Sequence, residues 1–109
     1  MNAILGSLEK EVMRLLWQRG ETTVRDAHAE LSRSRRIAYT TVMTVMQRLA
    51  EKGILLRKQD GAAYRYRPAA DGDAFFRGLV RELVVSLRRD FGTAAVASFL
   101  DEAGRARKR

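Results

Sequence analysis

A mostly α-helical fold carrying one two-stranded antiparallel hairpin is what this 109-residue sequence predicts. Three observations carry it. Apolar residues recur at helical spacing in five separate stretches. A short alternating segment around an Asp-Gly pair lies between the third and the fourth. The composition, 46% hydrophobic and 31% charged, is that of an ordinary globular chain. There is no internal repeat and no low-complexity segment.

The elements follow in order. Ser7 is placed to cap a first helix over about 8–18, where Leu8, Val12, Leu15 and Leu16 form one apolar stripe, and Gly20 ends it. Thr22 or Thr23 caps a second helix over about 24–32, with Val24, Ala27 and Leu31 facing inward. His28 lies at the edge of that face and reads as a structural or surface histidine. The basic stretch 33–36 connects to a third helix over about 38–52, stopped by Gly53. On a helical wheel Ala38, Val42, Val45, Met46 and Leu49 share one side of it. Thr40, Thr41, Thr44, Gln47, Arg48 and Glu51 share the other. Residues 54–58 read as a strand, Gln59-Asp60-Gly61 as a turn, and 63–67 as a second strand closed by Pro68. In that strand Tyr64 and Tyr66 alternate with Arg65 and Arg67. A hinge over 69–73 leads to a long helix over about 73–90, broken by Gly92. A last helix, capped by Thr93, runs to about 102.

Charge narrows the function. Lys and Arg total 21 against 13 Asp and Glu, a net +8. Nine of those cations and only two anions, Glu51 and Asp60, fall within residues 32–67. Such a concentration favours a polyanionic partner. Other classes are excluded or disfavoured. With no cysteine there is no disulfide, thiolate metal site or cysteine nucleophile, and one histidine makes no His-based metal site. No motif sets a nucleophile beside a base, so no enzyme and no cofactor are expected. No apolar run is long enough for a membrane span, and no basic-then-apolar leader opens the chain, so a cytoplasmic protein without membrane association is expected.

Three helices followed by a basic hairpin is the order of a winged helix-turn-helix. Two helices buttress a third that enters the DNA major groove, while the hairpin holds cations against flanking phosphates. The threonine-rich outer face of the third helix suits base edges, since a hydroxyl donates or accepts and the methyl touches a thymine methyl. Arg48, Lys52, Arg57, Lys58, Arg65 and Arg67 suit phosphate. For Thr40 and Thr41 a helix-capping role is the alternative, and it is compatible with DNA contact.

The run Ala-Tyr-Thr-Thr-Val-Met-Thr-Val-Met-Gln-Arg-Leu-Ala-Glu-Lys-Gly at 38–53 resembles the recognition helix of the BlaI/MecI penicillinase-repressor family. Leu8-Glu9, Val12-Met13 and Leu16-Trp17 resemble its first helix, Thr23-Val24-Arg25-Asp26 the start of its second, and Gly61-Ala62-Ala63-Tyr64-Arg65-Tyr66 its wing. The resemblance covers residues 5–68 well and runs more loosely to about 102. It implies a homodimeric transcriptional repressor on a palindromic double-stranded DNA operator. Thr40, Thr41 and Thr44 would read bases. Tyr39 would sit at the helix entrance, and Arg65 with its hairpin neighbours would touch backbone. It also implies induction by a sensor protease, with Val96-Ala97-Ser98-Phe99-Leu100 similar to the cleaved segment and the cut between Ser98 and Phe99. Ordinary helix packing is the other reading of that segment. A copper-responsive branch uses C-terminal cysteines that this chain lacks. The family usually carries a further helix after the segment matching 93–102. Here a charged tail over 104–109 stands instead, which leads us to expect a smaller dimer interface.

The resulting division is a DNA-binding winged helix over 1–70 and a helical dimerisation region with a basic tail over 71–109. Phe75, Phe76, Leu79, Val80, Leu83, Val84 and Leu87, with Val96, Phe99 and Leu100, form an apolar excess that calls for a partner surface. The alternative for this helix is packing back onto its own winged helix. The alternative for the whole chain is a winged-helix protein-interaction module without sequence-specific DNA binding.

Overall fold

In the computed structural model, which describes residues 5–107, eight elements follow one another. They are α1 (Ser7–Arg19), β1 (Thr22–Thr23), α2 (Val24–Leu31), α3 (Tyr39–Glu51), β2 (Leu55–Asp60), β3 (Ala63–Pro68), α4 (Gly72–Phe91) and α5 (Thr93–Arg107). The winged helix-turn-helix expectation holds. Its core joins Val12, Met13 and Leu16 of α1, Ala27 and Leu31 of α2, Val42, Met46 and Leu49 of α3, and Leu55 and Tyr66 of the hairpin. These are the stripes that the 3.6-residue period marks out.

Each boundary has a local cause. The start of α1 differs from expectation. Gly6, not Ser7, is the N-cap, and its N–H donates to the Glu9 carboxylate at 2.9 Å. For α2, Thr23 Oγ1 accepts from the Asp26 N–H at 3.1 Å. The end of α3 is a Schellman closure. Gly53 takes φ +78°, its N–H donates to the Ala50 carbonyl, and the Ile54 N–H reaches back to Leu49. That closure uses Ile54, so β2 begins one residue later than the sequence suggested.

The wing departs from expectation in two ways. The turn falls one residue later: Gln59 and Asp60 are in β2, Asp60 pairs with Ala63, and Gly61-Ala62 form the two-residue loop. Gly61 carries φ +64° and Ala62 does not share it, the signs of a type II′ turn. The sheet also has three strands, ordered β1-β3-β2. Thr22 and Thr23, expected only as a cap and its neighbour, pair antiparallel with Tyr66 and Arg65. Thr23 thus ends a strand and caps a helix at once.

The chain resolves into two units, one extending to Phe75 and the other from Phe76 onward. The first includes the opening turn of α4. There the Trp17 indole N–H donates to the Ala70 carbonyl at 3.0 Å, and the Phe75 ring lies 5.5 Å from the indole. A Cβ on Gly72 would stand 3.3 Å from the indole, a tight contact that the bare glycine avoids. In the second unit Gly92, at φ +88°, separates α4 from α5. The last helix is longer than expected: it runs through Gly104 to Arg107, where the sequence leads us to expect its end near residue 102 and a charged tail beyond. Arg105 pairs with Asp101 at 3.3 Å across one turn there. No described helix is long and apolar enough to cross a membrane.

Trp17 is the chain's single tryptophan, so its fluorescence reports on this seam. Phe75→Ala should red-shift the emission and lower unfolding free energy by about 2 kcal/mol; an unshifted spectrum would show that the ring does not cover the indole. Glu9 offers a second check. The Gly6 N–H first, then Lys52 and Arg48, hold its carboxyl below the ordinary 4.5, against the opposing effect of burial. The stabilisation from Glu9 is therefore complete above about pH 4.5 and lost as pH falls through the lower folded value. The stability gap between the native chain and Glu9→Gln should accordingly close on acidification below pH 4.5, measured by denaturation at stepped pH.

Candidate nucleic-acid interface

The rotation of α3 about its own axis fixes what it presents. Val42, Met46 and Leu49 have no accessible surface, while Thr40, Thr41, Arg48 and Glu51 are exposed and Thr44 and Gln47 half-buried. Ala38 departs from the expected packed face. It is the N-cap and is exposed, since a residue outside the helix no longer follows the helical period. No side chain caps α3; the Ala38 carbonyl instead accepts from the Thr41 and Val42 N–H groups at 3.1 and 3.3 Å. Thr40 and Thr41 lie inside the first turn, so capping does not occupy their hydroxyls. Tyr39, the first helical residue, is 45% exposed and stands beside them.

The cations divide into two kinds. Arg48 is exposed on α3, and Lys58 and Arg67 are exposed on the wing; none of the three forms an ion pair among the described residues. Lys52 and Arg65 are engaged. Lys52 donates to Glu9 at 3.1 Å, tying the end of α3 to α1. Arg65 Nε donates to Glu21 at 2.7 Å, and its guanidinium lies 3.9 Å from Asp60. Arg57 stacks 4.4 Å above the Tyr64 ring. Tyr66 first, then Tyr64 and Glu51, favour the charged guanidinium and raise its already high pKa against the opposing effect of desolvation. Arg57 thus stays cationic.

Between the start of α2, α3 and the tip of the wing runs an open groove of about 630 Å³. Arg25, Asp26, Tyr39, Met43, Gln47 and Tyr64 line it. Arg25, Gln47 and Tyr64 were not among the candidates drawn from sequence. The i, i+4 spacing of 39, 43 and 47 is a signal that would have put three of the lining residues on one stripe of α3; nothing local sets Tyr64 across from them. The wing's other face has a small hollow of about 110 Å³ between Glu21, Lys58, Arg65 and Arg67.

The remaining candidates lie elsewhere. Phe75 is half-buried against Trp17 in the first unit. In the second, Phe76 and Leu100 are 61% and 60% exposed, Leu79, Val80, Leu83, Val84, Leu87 and Phe99 are half-buried, and Val96 is buried. Val85 and Phe91 are exposed apolar residues outside the expected set. Ser98 is exposed within α5. No group of three or more His, Asp or Glu able to hold a metal occurs among the described residues.

Comparison with known proteins places this arrangement. The transcriptional regulator BlaI of Mycobacterium tuberculosis is 44% identical over 103 residues, covering 92% of this chain and 74% of that protein. The solution structure of the DNA-binding domain of the repressor BlaI superposes with a TM-score of 0.60 at 26% identity, over 66% of this chain and 88% of that domain. The Bacillus licheniformis BlaI monomeric form, solved in complex with the blaP half-operator, superposes at 0.56 with 27% identity, over 64% and 85% of the two chains. The profile of the penicillinase repressor family matches residues 5–108. With that match along nearly its whole length, the chain belongs to the penicillinase-repressor family of winged-helix, DNA-binding transcriptional regulators.

Proposed function

We propose that this chain represses transcription as a homodimer, each winged helix reading one half of a palindromic operator. Thr40, Thr41 and Thr44 meet base edges. Tyr39, Arg48, Lys52, Arg57, Lys58, Arg65 and Arg67 meet the backbone. The observation that carries this reading is the threonine face of α3, with Thr40 and Thr41 exposed and unspent on capping and Thr44 half-buried, beside Arg48, Lys58 and Arg67, which form no ion pair among the described residues. A relative solved in complex with a half-operator supports DNA as the partner. Pairing has a physical motive: one half-site discriminates weakly, and two-fold symmetry sets two recognition helices about 34 Å apart along the duplex. The exposed Phe76 and Leu100 on α4 and α5 support those helices as the pairing surface. A repressor of this kind acts in the cytoplasm, where its DNA is.

Release from DNA follows a cut in α5 between Ser98 and Phe99 by a sensor protease. Proteases bind extended chain, and Phe99 is half-buried within a helix, so cleavage requires α5 to unwind locally. The short stretch of α5 beyond Leu100 carries no apolar stripe to resist that unwinding.

Selection of duplexes from a random-sequence pool tests this function. A palindrome should be recovered, and Thr44→Ala should lower the preference for it about tenfold while leaving non-specific binding intact. Recovery of no preferred sequence would overturn the reading, and equal loss on both DNAs would remove Thr44 from the base readers. Lys58→Ala and Arg67→Ala should weaken binding to all duplexes and reduce the slope of log K against log salt by about 0.9 for each phosphate no longer neutralised. A salt titration with an unchanged slope would take them off the interface.

A further inference from the structure

The connection between α2 and α3, residues 32–38, decides how the recognition helix enters its position. Its first half is tied back to α2: the Ser32, Arg33, Ser34 and Arg35 N–H groups donate to carbonyls of residues 28–31. Arg35 also pairs with Glu11 of α1. Among the described residues its second half shows no such backbone ties, and Ala38 has no side-chain group with which to cap α3. One side chain crosses the gap. His28 Nε2 stands 2.8 Å from the Ile37 carbonyl, part-buried, and the His28 ring meets the Tyr39 ring edge-on at 5.7 Å and 76°. A carbonyl oxygen only accepts, so Nε2 carries the proton and donates. The chain's single histidine therefore holds both sides of Ala38, the carbonyl before it and the ring after it.

We propose that His28 is a positioning residue for DNA recognition. By fixing Ile37 and Tyr39 it sets the entry of α3, and thereby where Thr40 and Thr41, in the same first turn as Tyr39, meet the bases. His28 itself touches no DNA. The proposal deepens the operator-reading function and rests on it for its DNA arm. Its physical basis is independent of DNA: a part-buried carbonyl left without its donor costs more than a bond exchanged with water, and the helix end that follows has no side-chain cap. A glutamine amide offers a donor at nearly the same reach on an equally helix-compatible side chain.

The test uses the full chain in three forms, unmodified, His28→Ala and His28→Gln, and two readouts. Amide hydrogen exchange is read without DNA. In His28→Ala the Thr41 and Val42 amides should exchange about threefold to tenfold faster, with those of Met46 and Leu49 unchanged; His28→Gln should restore protection. Binding is then read on the palindromic duplex selected by the unmodified chain and on poly(dI-dC). His28→Ala should lose about threefold to tenfold on the palindrome alone, and His28→Gln should recover most of it. Unchanged exchange at Thr41 and Val42 would overturn the proposal, as would uniformly faster exchange with equal loss on both DNAs, the mark of a merely structural histidine. If the unmodified chain prefers no duplex, the operator-reading function fails, and the exchange readout still decides whether His28 holds the helix entrance.

Discussion

The burial of Val42, Met46 and Leu49 is the constraint on which the rest of this structure depends. One helix must serve as both core and reading surface, and a helix has only one rotation about its axis. These three side chains pack against α1, α2 and the start of β2, and that packing leaves Thr40, Thr41 and Arg48 facing outward. Full burial of side chains of this size contributes about 1.5–3 kcal/mol each, far more than any single surface contact. The reading face is thus held by the core, and polar substitutions on the outer face can vary without disturbing the fold. The same economy governs the wing. Tyr66, 1% exposed, anchors β3 and pairs with Thr22 on one side and Arg57 on the other, so the basic strands are fixed through one buried ring.

Electrostatics refine that frame rather than build it. Exposed ion pairs are worth about 0–1 kcal/mol, so Lys52–Glu9 and Arg65–Glu21 matter chiefly for orientation. Each holds a long, flexible cation in one place before any partner arrives, and part of its ordering cost is met on folding. A counterpart anion must then displace a carboxylate at these positions. At Arg48, Lys58 and Arg67 no carboxylate is ion-paired among the described residues. The local net charge thus overstates how many cations respond alike to a polyanion.

Much of this is legible in the sequence, for physical reasons that can be named. The inward stripes of α1, α2 and α3 are period-3.6 patterns, and each falls where packing requires it. The outward threonines follow from the same geometry read in reverse. What is not legible depends on partners distant in sequence. Thr22 and Thr23 form a strand only because the free edge of β3, some 43 residues later, lies beside them. Glu21 claims Arg65 from 44 residues away. The continuation of α5 to Arg107 lacks an apolar stripe and contains Gly104, which reads as a stop; the helix runs past it, with Arg105 paired to Asp101 and Glu102 on its surface. The turn at Gly61-Ala62 stands one residue beyond its expected place because an Asp-Gly pair satisfies either register, and only the pairing of Asp60 with Ala63 decides between them.

The seam at Trp17 bears on how this protein can be divided. Composition changes character at Pro68, and a cut in the loop just after it looks natural. Yet Ala70 satisfies the indole N–H, Gly72 lies flat against the ring, and Phe75 closes its edge. An excised winged helix that stopped at Pro68 would leave its one indole without the cover of Ala70, Gly72 and Phe75, a bare aromatic face turned to water. The smallest autonomous fragment therefore borrows the first turn of the helix that follows it.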